Sequence, residues 1–382
     1  MNIKVLTVCA FLFLHILTIG QVKPAIYDVQ FYKLDLSVSI DQQSINGSNK
    51  IVLEVLENTS KLDLHLAKQF NIHSIVHNNK ELTFTRAGDT IAVFFGRVLA
   101  KGSYQTLTIR YSGEPQIAVN PPWDGGFIWG KDSLDRPWVG VTCEGVGAST
   151  WWPCNGDIRD KADSIQINVT IPKTVDSLRA ICNGQLKGVL YNKDSTTFQW
   201  LITYPITNYN LTLNVGVYHD INERFSSING DTFSLDYYVL DYHEVLAKKH
   251  FTQVPIILRA FEELYGPYPF RQDGYALIET SYWGMEHQSG ISYGNNFINS
   301  AMGYDFIVLH ESGHQYWGNA VGINDFAELW ISEAFTTYTE TLFFEKVYTK
   351  EEAFKYLQYQ KNQIKNTEAL LGEFWERIYG FL

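Results

Sequence analysis

Polar and apolar residues alternate with a period of two along the first half of the chain. "YDVQFYKLDLSVSI" (27–40) is the longest such run. "NKIVLEVLE" (49–57), "DTIAVFFGRV" (89–98), "YQTLTIRYSG" (104–113), "SIQINVTIP" (164–172), "TFQWLITYPI" (197–206) and "YNLTLNVGVYHD" (209–220) repeat it. Successive side chains on a strand point to opposite faces, so each run predicts a strand with one face on a core. Asn46-Gly47, Asn78-Asn79 and Asn183-Gly184 read as the turns between them. An antiparallel β domain over residues 21–222 follows from this pattern.

The period changes after "INGDTFSLDYYVLD" (228–241). "YHEVLAKKHFTQVPIILRAFEELYG" (242–266) has apolar residues at helical spacing and ends at Gly266, before Pro267. "GYALIETSYWGMEHQSGISYG" (274–294) returns to strand character, with glycines at its bends. "YDFIVLHESGHQYWGNAV" (304–321), "LWISEAFTTYTETLFFEKVY" (329–348) and "KEEAFKYLQYQKNQIKN" (350–366) predict three more helices. The chain therefore reads as an α+β multidomain protein: a β-sheet domain, then a mixed, mainly helical one over residues 223–382.

The composition is that of a globular protein, 45% hydrophobic and 19% charged over 382 residues. A net charge of −11 argues against nucleic acid and anionic membranes as partners. The first 20 residues carry Lys4, an apolar run from Val5 to Ile19, and small residues at Thr18 and Gly20. They read as a secretory signal peptide, which predicts a secreted or periplasmic protein with no membrane span in the mature chain. Cys143, Cys154 and Cys182 then remain, an odd number that sets up no disulfide framework; a Cys143–Cys154 pair stays open.

Within "FIVLHESGHQYWGN" (306–319), His310 and His314 are one helical turn apart on a common face. Two imidazole nitrogens on that face can aim at one point about 2 Å away, which suits zinc. Glu311 is rotated to the side and can stand beside the metal without ligating it. Catalytic zinc takes three protein ligands and keeps a fourth position for water. Glu333, in "LWISEAFTTY" beyond the turn-rich "GNAVGIND", is the candidate third ligand. Seven residues on, Glu340 shares its helical face. It is either an acceptor for a ligand histidine's N–H or a solvated or capping glutamate.

H-E-x-x-H, eighteen intervening residues and a glutamate in a W-x-x-E-x-F setting resemble the M1 family of zinc aminopeptidases, in the gluzincin clan. That family's G-x-M-E-N signature is similar to Gly284-Met285-Glu286-His287, with Trp283 in the first glycine position and His287 in place of asparagine. "TCEGVGASTWWPC" (142–154) is similar to its Q-C-E/Q segment before a W-x-P-C run. The resemblance implies a saddle-like N-terminal sheet domain and a thermolysin-like catalytic domain. It further implies one zinc ion per chain on His310, His314 and Glu333, with Glu311 as general base on the zinc-bound water. Glu286 and Glu144 would bind the substrate's N-terminus, and Gly284 and Met285 its backbone. The substrates implied are peptides with a free N-terminus.

The family also has an oxyanion-binding tyrosine farther beyond the third ligand than this sequence extends. Tyr379, in "ERIYGFL", does not match its setting, and no oxyanion tyrosine is assigned. The catalytic domain is accordingly expected to be incomplete at its C-terminal end. The alternative to a working aminopeptidase is then a truncated zinc- and peptide-binding protein with weak or no turnover. A zinc endopeptidase is disfavoured, because Glu144 and Glu286 would block a long substrate on its amino side.

Overall fold

The computed structural model describes residues 25–365. The expected leader (1–20) and Tyr379 lie outside the described residues. The largest sheet has eight strands in the order Gln185–Tyr191, Ser195–Ile202, Ser164–Pro172, Tyr27–Ser39, Ser44–Val55, Tyr104–Gly113, Asn71–His77 and Lys80–Glu81. Its pairings are antiparallel except one: Tyr27–Ser39 runs parallel to Ser164–Pro172, with Phe31 opposite Ser164 and Ser37 opposite Thr170. The alternation read from the sequence is the cause of the sheet's single buried face. Tyr32, Leu34, Leu36 and Val38 point into the core, as do Ile45, Ile51, Leu53 and Val55 of the neighbouring strand. Trp151, Trp152, Trp200 and Tyr111 fill the interior, where Tyr32 meets Trp152 edge-on at 4.8 Å.

Of the three expected turns, two are where the sequence puts them. Asn78 and Asn79 both have positive φ in a two-residue hairpin joining His77 to Lys80. Gly184, also at positive φ, links Arg179–Cys182 to Gln185–Tyr191. Asn46-Gly47 is not a turn but lies inside the strand Ser44–Val55. Its glycine serves packing: a Cβ there would stand 2.6 Å from the buried Tyr111 ring. We expect Gly47→Ala to destabilise by about 1–3 kcal/mol through overpacking. A urea midpoint that falls with an unchanged slope would show it; an unmoved midpoint would mean that the ring shifts freely.

The chain enters a second core at a five-stranded sheet, ordered Tyr218–Ser226, Thr232–Leu240, Tyr275–Glu279, Gly290–Tyr293 and Gly284–Met285. The two-residue strand Gly284–Met285 forms one edge. Five helices accompany this sheet among the described residues: α1 (Glu244–His250), α2 (Val254–Tyr265), α3 (Phe306–His314), α4 (Leu329–Val347) and α5 (Lys350–Gln363). The single helix expected over 242–266 is interrupted by a 3-10 turn at Phe251–Gln253. Pro255, which has no N–H to donate, then sits in the first turn of α2. At its far end the chain stops as the sequence predicts, at Gly266 with φ 95°.

The helix expected over 304–321 is shorter, ending at His314. Beyond it the backbone widens into bonds spanning five residues, from Asn319 N–H to His314 O and from Val321 N–H to Tyr316 O, around Gly318 at φ 108°. This widening carries the carbonyl of Trp317 back under His314. No helix among the described residues is long and apolar enough to cross a membrane.

Candidate metal centre

Helix α3 begins at Asp305, which accepts from the backbone N–H of Ile307 at 2.9 Å and of Val308 at 3.4 Å. The same carboxylate accepts from the His250 ring and the Tyr293 hydroxyl, each at 2.7 Å, and from the Asn295 amide at 2.9 Å. Two separate segments thus fix where α3 starts and, through it, where the histidines point. An Asp ahead of an apolar helical run is an N-cap signal, one that the sequence reading above passed over. Its other partners are scattered over 55 residues and gave none.

One turn apart, His310 and His314 bring their Nε2 atoms to 3.1 Å. Glu333, on α4, places Oε2 at 3.7 Å from His310 Nε2 and Oε1 at 3.6 Å from His314 Nε2. The far side of each ring is engaged. His310 Nδ1 lies 2.6 Å from Glu340 Oε1, and Glu340 Oε2 accepts from Tyr356 and Gln360 of α5. His314 Nδ1 is 3.1 Å from the Trp317 carbonyl and from the Ser332 and Thr336 hydroxyls. Protons held on the Nδ1 side leave both Nε2 lone pairs facing each other and a carboxylate.

That arrangement can hold a cation at its centre. Tetrahedral ligands with bonds of about 2.0–2.2 Å stand about 3.3 Å apart, and the three separations bracket this value. The donor set therefore fits zinc. Burial would raise the Glu333 carboxyl, but the two histidines outweigh it and hold Glu333 well below the usual carboxylate range. Of the two roles left open for Glu340, the 2.6 Å contact to Nδ1 of the candidate ligand His310 is the geometry that the first would have. Glu340→Ala should weaken zinc binding about 10- to 100-fold. Competition against a chelating indicator would measure it, and unchanged affinity would reduce Glu340 to packing.

A cleft of about 370 Å³ opens on this centre, lined by Glu144, Gly284, Met285, Glu286, Glu311 and the three candidate ligands, among others. Glu311 is 7% exposed, and burial, with Glu286 and Glu333 adding to it against the two histidines, pushes its carboxyl up to about 7. Gly284 lies directly against it: a Cβ there would come within 2.6 Å of Glu311 Oε1. Glu144 comes from the loop after the first-core strand Pro137–Thr142, and Glu286 from the loop after Gly284–Met285. They are close enough that the Glu286 charge, ahead of burial, raises the Glu144 carboxyl well above its ordinary value. Burial raises Glu286 as well, opposed by His314.

Sequence reasoning missed the groups that hold Glu286. The Tyr209 hydroxyl donates to its carboxylate at 3.2 Å, and Asn319 Nδ2 donates to its carbonyl at 2.7 Å. Asn210 in turn donates to Asn319, so the β half of the chain helps to set this loop. His287 is fully buried, with Nδ1 3.0 Å from the Ser292 hydroxyl; burial lowers its pKa to about 3 and keeps it neutral.

The comparisons with known proteins agree with this geometry. Leukotriene A-4 hydrolase of Xenopus laevis is 21% identical over 344 residues, which cover 86% of this chain and 53% of that protein. Aminopeptidase N of Acetobacter pasteurianus is 23% identical, covering 84% of this chain and 91% of that protein. The chain thus spans about half the length of the Xenopus relative. It spans 38% of a probable aminopeptidase 2 from Sulfurisphaera tokodaii. A crystal structure of an M1 zinc metallopeptidase from Deinococcus radiodurans superposes with a TM-score of 0.76 at 21% identity, covering 91% of this chain and 78% of that one. It shares the order of β-sheet domain and helical domain. The Peptidase M1 N-terminal domain matches residues 23–210 and the Peptidase family M1 domain residues 253–373. Sequence match, fold and donor set converge: the chain belongs to peptidase family M1.

Proposed function

We propose that this protein is a zinc-dependent aminopeptidase that removes N-terminal residues from peptides. The observation that carries the reading is the pair of carboxylates, Glu144 and Glu286, gathered beside the His310–His314–Glu333 centre. Two adjoining carboxylates, Glu286 buried and Glu144 partly so, are costly without a counter-charge, and a substrate's terminal ammonium supplies one. They therefore bind the amine and set the peptide's first carbonyl at the metal centre. His310, His314 and Glu333 would hold one zinc ion. When bound, zinc supplies Lewis-acid polarisation of the scissile carbonyl. Glu311 takes a proton from the attacking water as the new C–O bond forms, and passes it to the leaving nitrogen as the C–N bond breaks.

The test is hydrolysis of alanine p-nitroanilide and its N-acetyl derivative by the zinc-loaded full chain. Release from the free amine alone is the expected result. Equal cleavage of the acetylated compound would favour an endopeptidase, and zinc bound without any release would favour a peptide-binding protein. On the strength of residues 1–20 we also place the mature protein outside the cytoplasm. N-terminal sequencing of the exported protein should begin after Gly20, and an intact leader would sink that placement.

A further inference from the structure

The cleft wall on the far side of Gly284 from Glu286 is aromatic, and the proposed mechanism gives it no task. Trp283 occupies the position that the family signature gives to glycine. It is 46% exposed, and Trp123, arriving from the first core, is 50% exposed. Their ring centroids lie 6.4 Å apart. Trp283 lies 5.8 Å from Phe306, and Phe306 stacks on His310 at 5.4 Å. A continuous series of rings thus runs from the metal centre to the mouth of the cleft.

Trp283 is held in place. Its indole N–H donates to Asn295 Oδ1 at 3.2 Å, its carbonyl accepts from Gly294 N–H at 2.8 Å, and Asn295 donates in turn to Asp305 at the start of α3. Half-exposed tryptophans carry large apolar area left in water, and a fixed one loses little entropy on meeting a ligand.

Distance along the strand identifies what meets this wall. Gly284–Met285 is the edge of its sheet, where an extended peptide can add as a further strand. Glu286 marks the end at which the substrate's ammonium sits. Trp283 is three residues back, about 10 Å at roughly 3.3 Å per residue. A peptide that starts at Glu286 and runs along this edge passes its first carbonyl at the metal centre, and the side chains of its second to fourth residues then cover the stretch of wall that Trp283 and Trp123 form. We infer that Trp283, with Trp123 and Phe306, forms a subsite for aromatic or large apolar side chains on the leaving portion of the peptide. The substrate class is peptides with such a residue just after the one released. The inference rests on the aminopeptidase reading for its direction along the cleft.

The experiment compares Ala-Phe-Ala, Ala-Ala-Ala and Ala-Asp-Ala on the zinc-loaded wild type, Trp283→Ala and Trp283→Phe. The wild type should favour Ala-Phe-Ala over Ala-Ala-Ala in kcat/KM by roughly tenfold, the scale of one aromatic contact. It should disfavour Ala-Asp-Ala. Trp283→Ala should remove most of that ratio, and Trp283→Phe should restore much of it. A flat wild-type ratio, or one that survives Trp283→Ala, overturns the inference while alanine release continues to support the aminopeptidase reading. If no peptide is cleaved, the aminopeptidase reading fails separately. Calorimetric binding of the same three peptides to Glu311→Gln then decides the subsite: a preference for Ala-Phe-Ala lost in the Glu311→Gln/Trp283→Ala double variant supports it, and equal binding rejects it.

Discussion

Glu311→Gln should lower turnover of a free-amine aminoacyl anilide by about 10²- to 10⁴-fold, with zinc content unchanged. Glutamine keeps the size and polarity of the side chain but cannot take up a proton. The three candidate ligand atoms come from His310, His314 and Glu333, so the donor set survives the substitution. Burial beside Glu286 and Glu333 makes Glu311 an unusually good proton holder for a carboxylate, and that is the property the substitution removes. Steady-state rates together with metal analysis on the same preparation give the result. Turnover within threefold of wild type would dismiss Glu311 as the base, and lost zinc would assign it to metal binding instead.

Stripping zinc with a chelator should lower the thermal midpoint by about 10 °C. A ligand present at a thousand times its dissociation constant stabilises by about 4 kcal/mol, and each kcal/mol moves a domain of this size by about 2–4 °C. The structural reason is the 3.1 Å approach of two imidazole nitrogens, which an ion between them would satisfy. Calorimetry with and without chelator measures the shift, and His314→Ala should show almost none of it. An equal shift in that variant would locate the stabilising ion elsewhere.

The metal pair was legible in the sequence because helix geometry alone puts residues four apart on one face. Glu333 was read from the helix beyond a turn-rich loop and Glu340 from its seven-residue spacing to Glu333, and α5 supplied an unforeseen clamp through Tyr356 and Gln360. The long alternating strands were legible for a similar reason. Shorter strands such as Gly126–Lys131 and Pro137–Thr142 escaped, since the second is half-buried at one end and fully buried at the other and shows no clean alternation. Asn46-Gly47 misled because a glycine required by a neighbouring ring has the same spelling as a glycine required by a bend. Asp305 collects His250, Tyr293 and Asn295 from two upstream segments, a convergence that only the folded chain displays.

The one parallel seam of the large sheet has a consequence for how the protein is made. Tyr27–Ser39 can pair with Ser44–Val55 as soon as both leave the ribosome, because the turn between them is local. Its other edge waits for Ser164–Pro172, roughly 130 residues later. At about 5–20 residues per second that interval is of order ten seconds, during which a long strand rich in buried side chains presents an open backbone edge. That edge stays without its partner throughout the synthesis of residues 40–172, well before any candidate ligand of the metal centre has been translated.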